Sequence, residues 1–207
     1  MNRELKNIIK ALLEARYLKR VKRAGTELFL GPEVSESVVE HSFYTSLWAI
    51  IMHYYNPKLD LGKLATMCLI HDLEEVRTGD LNQVNRLYYS DNPELKAFSD
   101  MWKDSKLGEN LIEIHKERAE MKTNEALAAR DCDTLAELVT EKEYLELGKK
   151  EAKEWMGFTL KRLKTKTGKK LAQAVIKARM GEWWEEFKNA IRKRHGIKPI
   201  NYQKEKL

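Results

Sequence analysis

Apolar residues recur at helical spacing through most of this chain. Near the N-terminus they follow the i, i+3, i+4, i+7, i+8 pattern of an amphipathic helix, at Leu5, Ile8, Ile9, Leu12 and Leu13. No strand of convincing length and no repeat period appears. The sequence therefore predicts an all-α fold.

Local signals mark the ends of the early helices. Ser37 and Glu40 have the spacing of a capping box that opens a second helix, and Pro57 lies in the turn that ends it. A third helix is predicted over residues 61–77, because Gly79 follows as a stop signal.

The later helices have weaker boundaries. Asn92-Pro93 is expected to cap and open a helix, and residues 110–147 predict one long helix or two abutting ones. Two final helices are predicted over 152–164 and 168–194. The segment 27–35 is interpreted as a loop or a short extended piece.

Length and charge bear on the domain organisation. With 207 residues, we expect a single domain over 1–197, C-terminal helices within 150–195 and a polar tail at 198–207. Residues 149–207 carry 18 Lys and Arg against 6 Asp and Glu, whereas 1–148 carry 20 against 26. Cations spread along helices usually form a solvated face, so nucleic acid is an alternative partner and not the expected one.

Two features bear on the compartment. No apolar run approaches the length that crosses a bilayer, and the N-terminus lacks a signal-peptide core, so we expect a cytoplasmic protein without a membrane partner. Cys68 and Cys132 lie in apolar helical stretches without CxxC spacing. They are interpreted as packing residues.

An ionisable pair interrupts an apolar segment. His71-Asp72 follows Leu64, Met67, Cys68, Leu69 and Ile70, where two unpaired charges would be costly to bury. A divalent cation would compensate that cost, and His41 on the preceding helix could supply a further ligand. A metal-free hydrogen-bonded His-Asp pair remains the alternative on these residues alone.

Four blocks of the sequence resemble a known family. The order His41, His71-Asp72 and a distal Asp resembles the H…HD…D signature of the HD-domain superfamily of metal-dependent phosphohydrolases. Within it, the closest resemblance is to the HD-domain 5′-deoxynucleotidases, and it spans residues 18–144. The matching blocks are LKRVKRAG from Leu18, VVEHS from Val38, HDLEEVRTGDL from His71, and Asp133 followed by Glu143-Tyr144.

The resemblance implies an HD-domain helical bundle and a single metal site. Its implied ligands are His41, His71, Asp72 and Asp133, and Asp72 is counted among the catalytic residues as well. Asp131 is the competing acid, and Asp133 is chosen because Glu143 follows it at the family's distance. Asp131 is interpreted as an acid that faces solvent or supports the metal ligands. Two imidazoles with two carboxylates favour Mn, Co, Fe, Ni or Zn over Mg or Ca.

The resemblance also implies an acid or base on the HD helix. Glu75 matches the family's general acid or base, and it lies one helical turn beyond His71. Set apart from the family, Glu75 could equally be a surface carboxylate that pairs with Arg77 or Lys63. Glu74 has no match and is interpreted as a surface residue.

Further positions are implied to contact the substrate. Arg23 matches the family's phosphate-binding arginine, Arg20 is a second candidate, and Asp80 matches a residue that approaches the sugar. Ala24 departs from family members with a large aromatic after this arginine, which leaves the sugar preference open.

The implied function is removal of phosphate from (deoxy)nucleoside 5′-monophosphates, in nucleotide metabolism, by a homodimer. The alternatives are another nucleotide substrate, such as a cyclic dinucleotide, a nucleoside triphosphate or an alarmone, and a non-catalytic module that binds nucleic acid or a partner. An apolar stripe, made by Trp183, Trp184, Phe187 and Ile191, is interpreted as core packing or a subunit seam before base stacking.

Overall fold

The computed structural model describes residues 2–30, 35–89 and 93–197, and the regular structure in these ranges is helical. The helices are α1 (Arg3–Ala15), α2 (Ala24–Leu30), α3 (Val38–Tyr55), α4 (Leu61–Ile70), α5 (Glu75–Thr78), α6 (Gln83–Arg86), α7 (Pro93–Trp102), α8 (Lys106–Glu120), α9 (Asn124–Glu146), α10 (Ala152–Arg162), α11 (Lys166–Lys177) and α12 (Glu182–His195). A 3₁₀ helix spans Arg16–Arg20. The predicted all-α fold is confirmed.

Helix α9 is the centre of the bundle. It packs against α3, α4, α8, α10 and α11. Its first turns carry the small buried residues Ala126, Ala128 and Ala129, which let neighbouring helices approach, and Leu135 and Leu138 continue the core further along. A second apolar cluster, which includes Phe98 and Trp102, lies where α7 meets α1 and the end of α4.

The start of α3 agrees with its sequence signal. The Ser37 hydroxyl accepts a hydrogen bond from the Glu40 N–H, and the Glu40 carboxylate accepts one from the Ser37 N–H. An isolated antiparallel bridge between Lys22 and Ser37 ties the segment before α2 to this helix start. The predicted capping box is confirmed, and the bridge brings Arg23 close to α3.

The predicted continuous helix over 61–77 is wrong. Helix α4 ends at Ile70, residues 71–74 interrupt it, and α5 begins at Glu75. The imidazole Nδ1 of His71 lies 2.7 Å from the Cys68 carbonyl oxygen, which in a continued α-helix would accept the Asp72 N–H. The backbone then tightens to i→i+3 hydrogen bonds, such as Glu75 N–H to Asp72 O at 3.2 Å, before α5 begins. Gly79, at φ 72°, ends α5 as predicted.

Other boundaries differ from the prediction as well. Residues 27–30 belong to α2 and are not a loop, while 31–34, Asn92 and the tail at 198–207 lie outside the described residues. For residues 110–147 the second predicted alternative is confirmed: they form two helices, since Met121 in the left-handed conformation ends α8. The predicted helix over 168–194 is also two helices, α11 and α12, separated near Gly181.

Several large apolar side chains stay exposed. No residue of α12 is buried, and Trp183 is 68% exposed, so the core-packing interpretation of the C-terminal stripe is wrong. Helix α3 also presents Phe43 and Ile50 to the surface. These faces agree with the predicted homodimer, which stays a prediction. None of the described helices is both long and apolar enough to cross a membrane.

Asp131 was predicted to face solvent or to support the metal ligands, and it does neither. The carboxylate is fully buried and accepts hydrogen bonds from the N–H groups of Lys164 and Thr165 and from the Thr165 hydroxyl, at 2.6–2.8 Å. It thereby holds the start of α11. A Cβ at Gly168 would lie 2.2 Å from Asp131 Oδ2, so this close approach requires glycine.

We predict that Asp131→Ala lowers the free energy of unfolding by on the order of 3 kcal/mol, because three donors lose their charged acceptor. Urea denaturation monitored by circular dichroism measures the loss. The matched control is Asp60→Ala, which removes an exposed cap of α4 and should cost about 1 kcal/mol. Equal losses in the two variants would contradict the structural role of Asp131.

Candidate metal centre

Three helices bring one acid and two imidazoles together. His41 lies in the first turns of α3, His71 follows the last residue of α4, and Asp133 lies in the middle of α9. All three side chains are buried, and each offers one ligand atom such that the three atoms lie within 4.8 Å of one another. Among the described residues, these three side chains form a group whose geometry could hold a metal ion.

The Asp133 carboxylate contacts both imidazoles and two arginine side chains. Its Oδ1 lies 3.1 Å from Nε2 of His41 and 3.9 Å from Nε2 of His71. Its Oδ2 accepts hydrogen bonds from Arg118 at 3.2 Å and Arg130 at 3.1 Å. The carboxylate is buried, but the hydrogen bond from His41 and the charges of the imidazoles and of Arg118 hold its pKa well below the usual range.

The donor set fits a cation. Nδ1 of His71 faces a carbonyl oxygen, which only accepts, so Nδ1 donates to it and Nε2 is the nitrogen left for a cation. That Nε2 is buried and faces the carboxylates of Asp72, at 3.0 Å, and Asp133, at 3.9 Å, without a hydrogen bond to either. Burial and Arg23 lower the pKa of His41, but its hydrogen bonds to Asp133 and Glu36 outweigh them and raise it to about 9. The position therefore favours positive charge.

Asp72 borders this cluster. Its Oδ2 lies 3.0 Å from Nε2 of His71 and accepts a hydrogen bond from Arg23 at 3.3 Å. The carboxylate is buried, which opposes ionisation, but His71 and Arg23 lower its pKa below the usual range. The implied fourth ligand thus lies beside the other three, as an anion paired to an arginine.

A cavity of about 360 Å³ opens at the cluster. Arg23, Glu75, Asp80 and Arg118 line it together with His71, Asp72 and Asp133, whereas His41 does not, so most of the predicted site residues share one cleft. Arg20 does not line the cavity. It is exposed, with its guanidinium carbon 5.0 Å from the centre of the Tyr17 ring.

Glu75 is buried and one of its carboxylate oxygens has no hydrogen-bond partner among the described residues. Burial, then the charges of Asp72 and Asp80, raises the pKa of Glu75 to about 11. The pairing with Arg77 or Lys63 is not seen, because Arg77 binds Glu14 and Lys63 binds Glu117. Glu75 is therefore a buried, protonated carboxyl at the wall of the cavity and a candidate for acid or base chemistry there.

Asp80 anchors the arginine segment. Its Oδ2 accepts a hydrogen bond from the Ala24 N–H at 2.7 Å, and its Oδ1 lies 3.7 Å from the Arg23 guanidinium. Desolvation lowers the pKa of the half-buried Arg23 guanidinium, but the charges of Asp80 and Asp72 outweigh it and raise the pKa above its usual value. The turn residue Asp80 thus holds the start of α2 and the guanidinium in one place.

Sequence reasoning missed several residues of the cleft. Glu74, predicted at the surface, is buried with Oε1 3.2 Å from Nε2 of His115, and His115 stacks on Phe98. Arg118 and Arg130 were not singled out. Arg130 lies one helical turn before Asp133, a spacing that could have indicated an ion pair, whereas Arg118 reaches the site from α8 and has no local signal.

Comparisons with known proteins agree on the family and the fold. The sequence model of the HD domain family matches residues 15–176. The 5′-deoxynucleotidase HDDC2 of Dictyostelium discoideum is 26% identical over 137 residues, which cover 61% of this chain and 72% of that protein.

Solved structures show the same helical arrangement. A conserved hypothetical protein from Pyrococcus furiosus has a TM-score of 0.72 and 25% identity, covering 82% of this chain and 99% of its own. A predicted metal-dependent phosphohydrolase from Magnetospirillum magnetotacticum has a TM-score of 0.65 and 23% identity, covering 84% of this chain and 91% of its own. This second likeness shows the fold.

We predict that His71→Ala binds Mn or Co at least about 100-fold more weakly than the unchanged protein, because the cluster loses a buried nitrogen ligand. Isothermal titration with the metal ion alone measures the affinity. His195→Ala removes an exposed imidazole at the end of α12 and should leave the affinity unchanged. Equal metal affinity in both variants would exclude His71 as a ligand.

Proposed function

The chain belongs to the HD domain family of metal-dependent phosphohydrolases, and we propose that it removes the phosphate group from (deoxy)nucleoside 5′-monophosphates. The observation that carries the proposal is a single cleft that joins a cation-binding cluster, an arginine for phosphate and a buried carboxyl. The name of the Dictyostelium relative, a 5′-deoxynucleotidase, supports the same substrate class.

We propose that His41, His71, Asp72 and Asp133 hold one divalent ion. Their mixed nitrogen and oxygen donors suit Mn, Co, Fe, Ni or Zn better than Mg. When bound, the ion supplies Lewis-acid polarisation of the phosphoryl group and a water of lowered pKa. The buried cluster keeps bulk water away from the ligand atoms, which strengthens each electrostatic contact.

Arg23 binds the phosphate in this proposal. Its guanidinium is held between Asp72 and Asp80, so its donors are already oriented towards the cavity and little side-chain entropy is lost on binding. A phosphate monoester carries nearly two negative charges, and Arg118 and Arg130 add positive charge on the opposite side of Asp133. The cleft thus offers cations to the reacting group from two sides.

Glu75 acts as the general acid or base. A buried carboxyl with an unpaired oxygen in the cavity can hold a proton for the departing ribose oxygen or orient the attacking water. Cleavage of the P–O bond requires that the leaving alkoxide receive a proton. Glu75 is the acid that is placed for it, because Glu74 is turned towards His115.

We predict that Glu75→Gln lowers kcat for phosphate release from dAMP or dUMP by about 10²–10⁴-fold, while the protein still binds Mn or Co. A colorimetric phosphate assay and a metal titration measure the two properties. Glu109→Gln, on the exposed side of α8, should keep full activity. Full activity in Glu75→Gln would contradict its role.

The two arginine candidates can be separated by matched substitutions. We predict that Arg23→Lys lowers kcat/KM for dAMP at least about 10-fold, since an ammonium cannot make the bidentate contact of a guanidinium. Arg20→Lys should stay within about twofold, because Arg20 lies outside the cavity. A larger loss in Arg20→Lys than in Arg23→Lys would reverse the assignment.

The same assays separate the alternatives. A panel of nucleoside monophosphates, triphosphates, cyclic dinucleotides and alarmones, each with several divalent ions, identifies the nucleotide class. The non-catalytic alternative uses the basic residues 149–207. It would be supported by DNA binding with a steep salt dependence and no phosphate release from any nucleotide.

A further inference from the structure

A second cavity continues from the metal cleft. It has a volume of about 640 Å³, and Arg23, Asp80, Arg130 and Arg162 line both spaces. None of the ligand residues His41, His71 or Asp133 lines the second cavity. It therefore extends the cleft away from these three side chains, and its volume lies within the range of pockets for small organic ligands.

The walls of the second cavity are aromatic. Trp155 and Phe158 project from α10, and Tyr144 projects from the last turn of α9. Phe158 is 58% exposed, although it lies at the mouth of a cavity, and the Lys161 ammonium lies 5.8 Å from the centre of its ring. An exposed ring such as that of Phe158, at the edge of a cleft, can stack on a planar group.

The charges around the second cavity are largely compensated. Arg162 pairs with Glu137, and Arg130 pairs with Asp133. Glu141 accepts a hydrogen bond from Thr159 at 2.8 Å, and burial, then the charge of Glu137, raises its pKa to about 8, so this carboxyl is neutral near pH 7. A planar, uncharged group suits such a space better than a second phosphate.

The positions of the two cavities agree with the shape of a nucleotide. If the phosphate lies at Arg23, the sugar crosses the shared rim beside Asp80, and the base continues into the aromatic space. Gly25, which lines both cavities, has no side chain, and the aromatic rings that line the second cavity come from α9 and α10.

We propose that this second cavity seats the nucleobase of the substrate, with Trp155 and Phe158 of α10 as the stacking wall. The proposal rests on the proposed function, because it needs a nucleotide whose phosphate lies at the metal centre. It assigns the recognition of the base to α10.

The test compares substrates with and without a base. With the full chain and Mn or Co, kcat/KM is measured for dAMP and for 2-deoxyribose 5-phosphate, and the ratio of the two values reports the base contact. We predict that Phe158→Ala and Trp155→Ala each lower this ratio roughly 5- to 100-fold, mainly through KM for dAMP. Phe187→Ala, an equally exposed ring on α12, should keep the ratio. An unchanged ratio in both α10 variants would overturn the proposal.

A binding measurement separates this proposal from the proposed function. Deoxyadenosine has a base and no phosphate, so its affinity, measured by isothermal titration, depends on the second cavity alone. Binding that weakens in Phe158→Ala and Trp155→Ala supports the base seat. This holds even if no phosphate is released from dAMP, because that outcome would refute only the proposed removal of phosphate from nucleoside monophosphates. Equal binding in the unchanged protein and both α10 variants would refute the base seat and leave the hydrolytic function standing.

Discussion

Burial of the Asp133 carboxylate among imidazoles and guanidinium groups is the interaction on which the site depends. A buried, unpaired carboxylate would be strongly destabilising, and the helices that surround Asp133 supply compensating groups. His41 comes from α3, His71 from the end of α4, and Arg118 from α8. The packing of these helices on α9 therefore also brings the side chains of the candidate cation site together.

The helix break after Ile70 decides which side chains serve the cleft. By using the Cys68 carbonyl, the His71 ring both fixes its own tautomer and competes with continuation of α4. The tighter turn that follows keeps Glu75 at the cavity and turns Glu74 towards His115 on α8. Two neighbouring glutamates thereby differ in their surroundings: Glu75 is buried at the wall of the cavity, and Glu74 is paired with His115.

The cleft has two chemically different ends. Ionised groups concentrate at the α3, α4 and α9 end, whereas the rings of α10 line the other, where Glu141 is neutral at pH 7. Arg23 and Asp80 lie on the boundary and belong to both cavities. A molecule with an anionic group, a sugar and a planar group would meet a matching surface along its length, which is the shape of a nucleoside monophosphate.

The sequence alone predicted the helical class from periodicity and the capping box at Ser37 from local hydrogen bonding. His41, His71 and Asp133 followed from its resemblance to the HD domain family, because the ionisable residues taken alone left a metal-free His-Asp pair open. Only the tertiary structure decided the break after Ile70, the burial of Glu74 and Asp131, and the arginines that face Asp133. The burial of Glu74 and Asp131 and the contact of Arg118 with Asp133 depend on partners from other helices. Local patterns carry no information about such partners, since the free energy that selects them arises only when the helices pack.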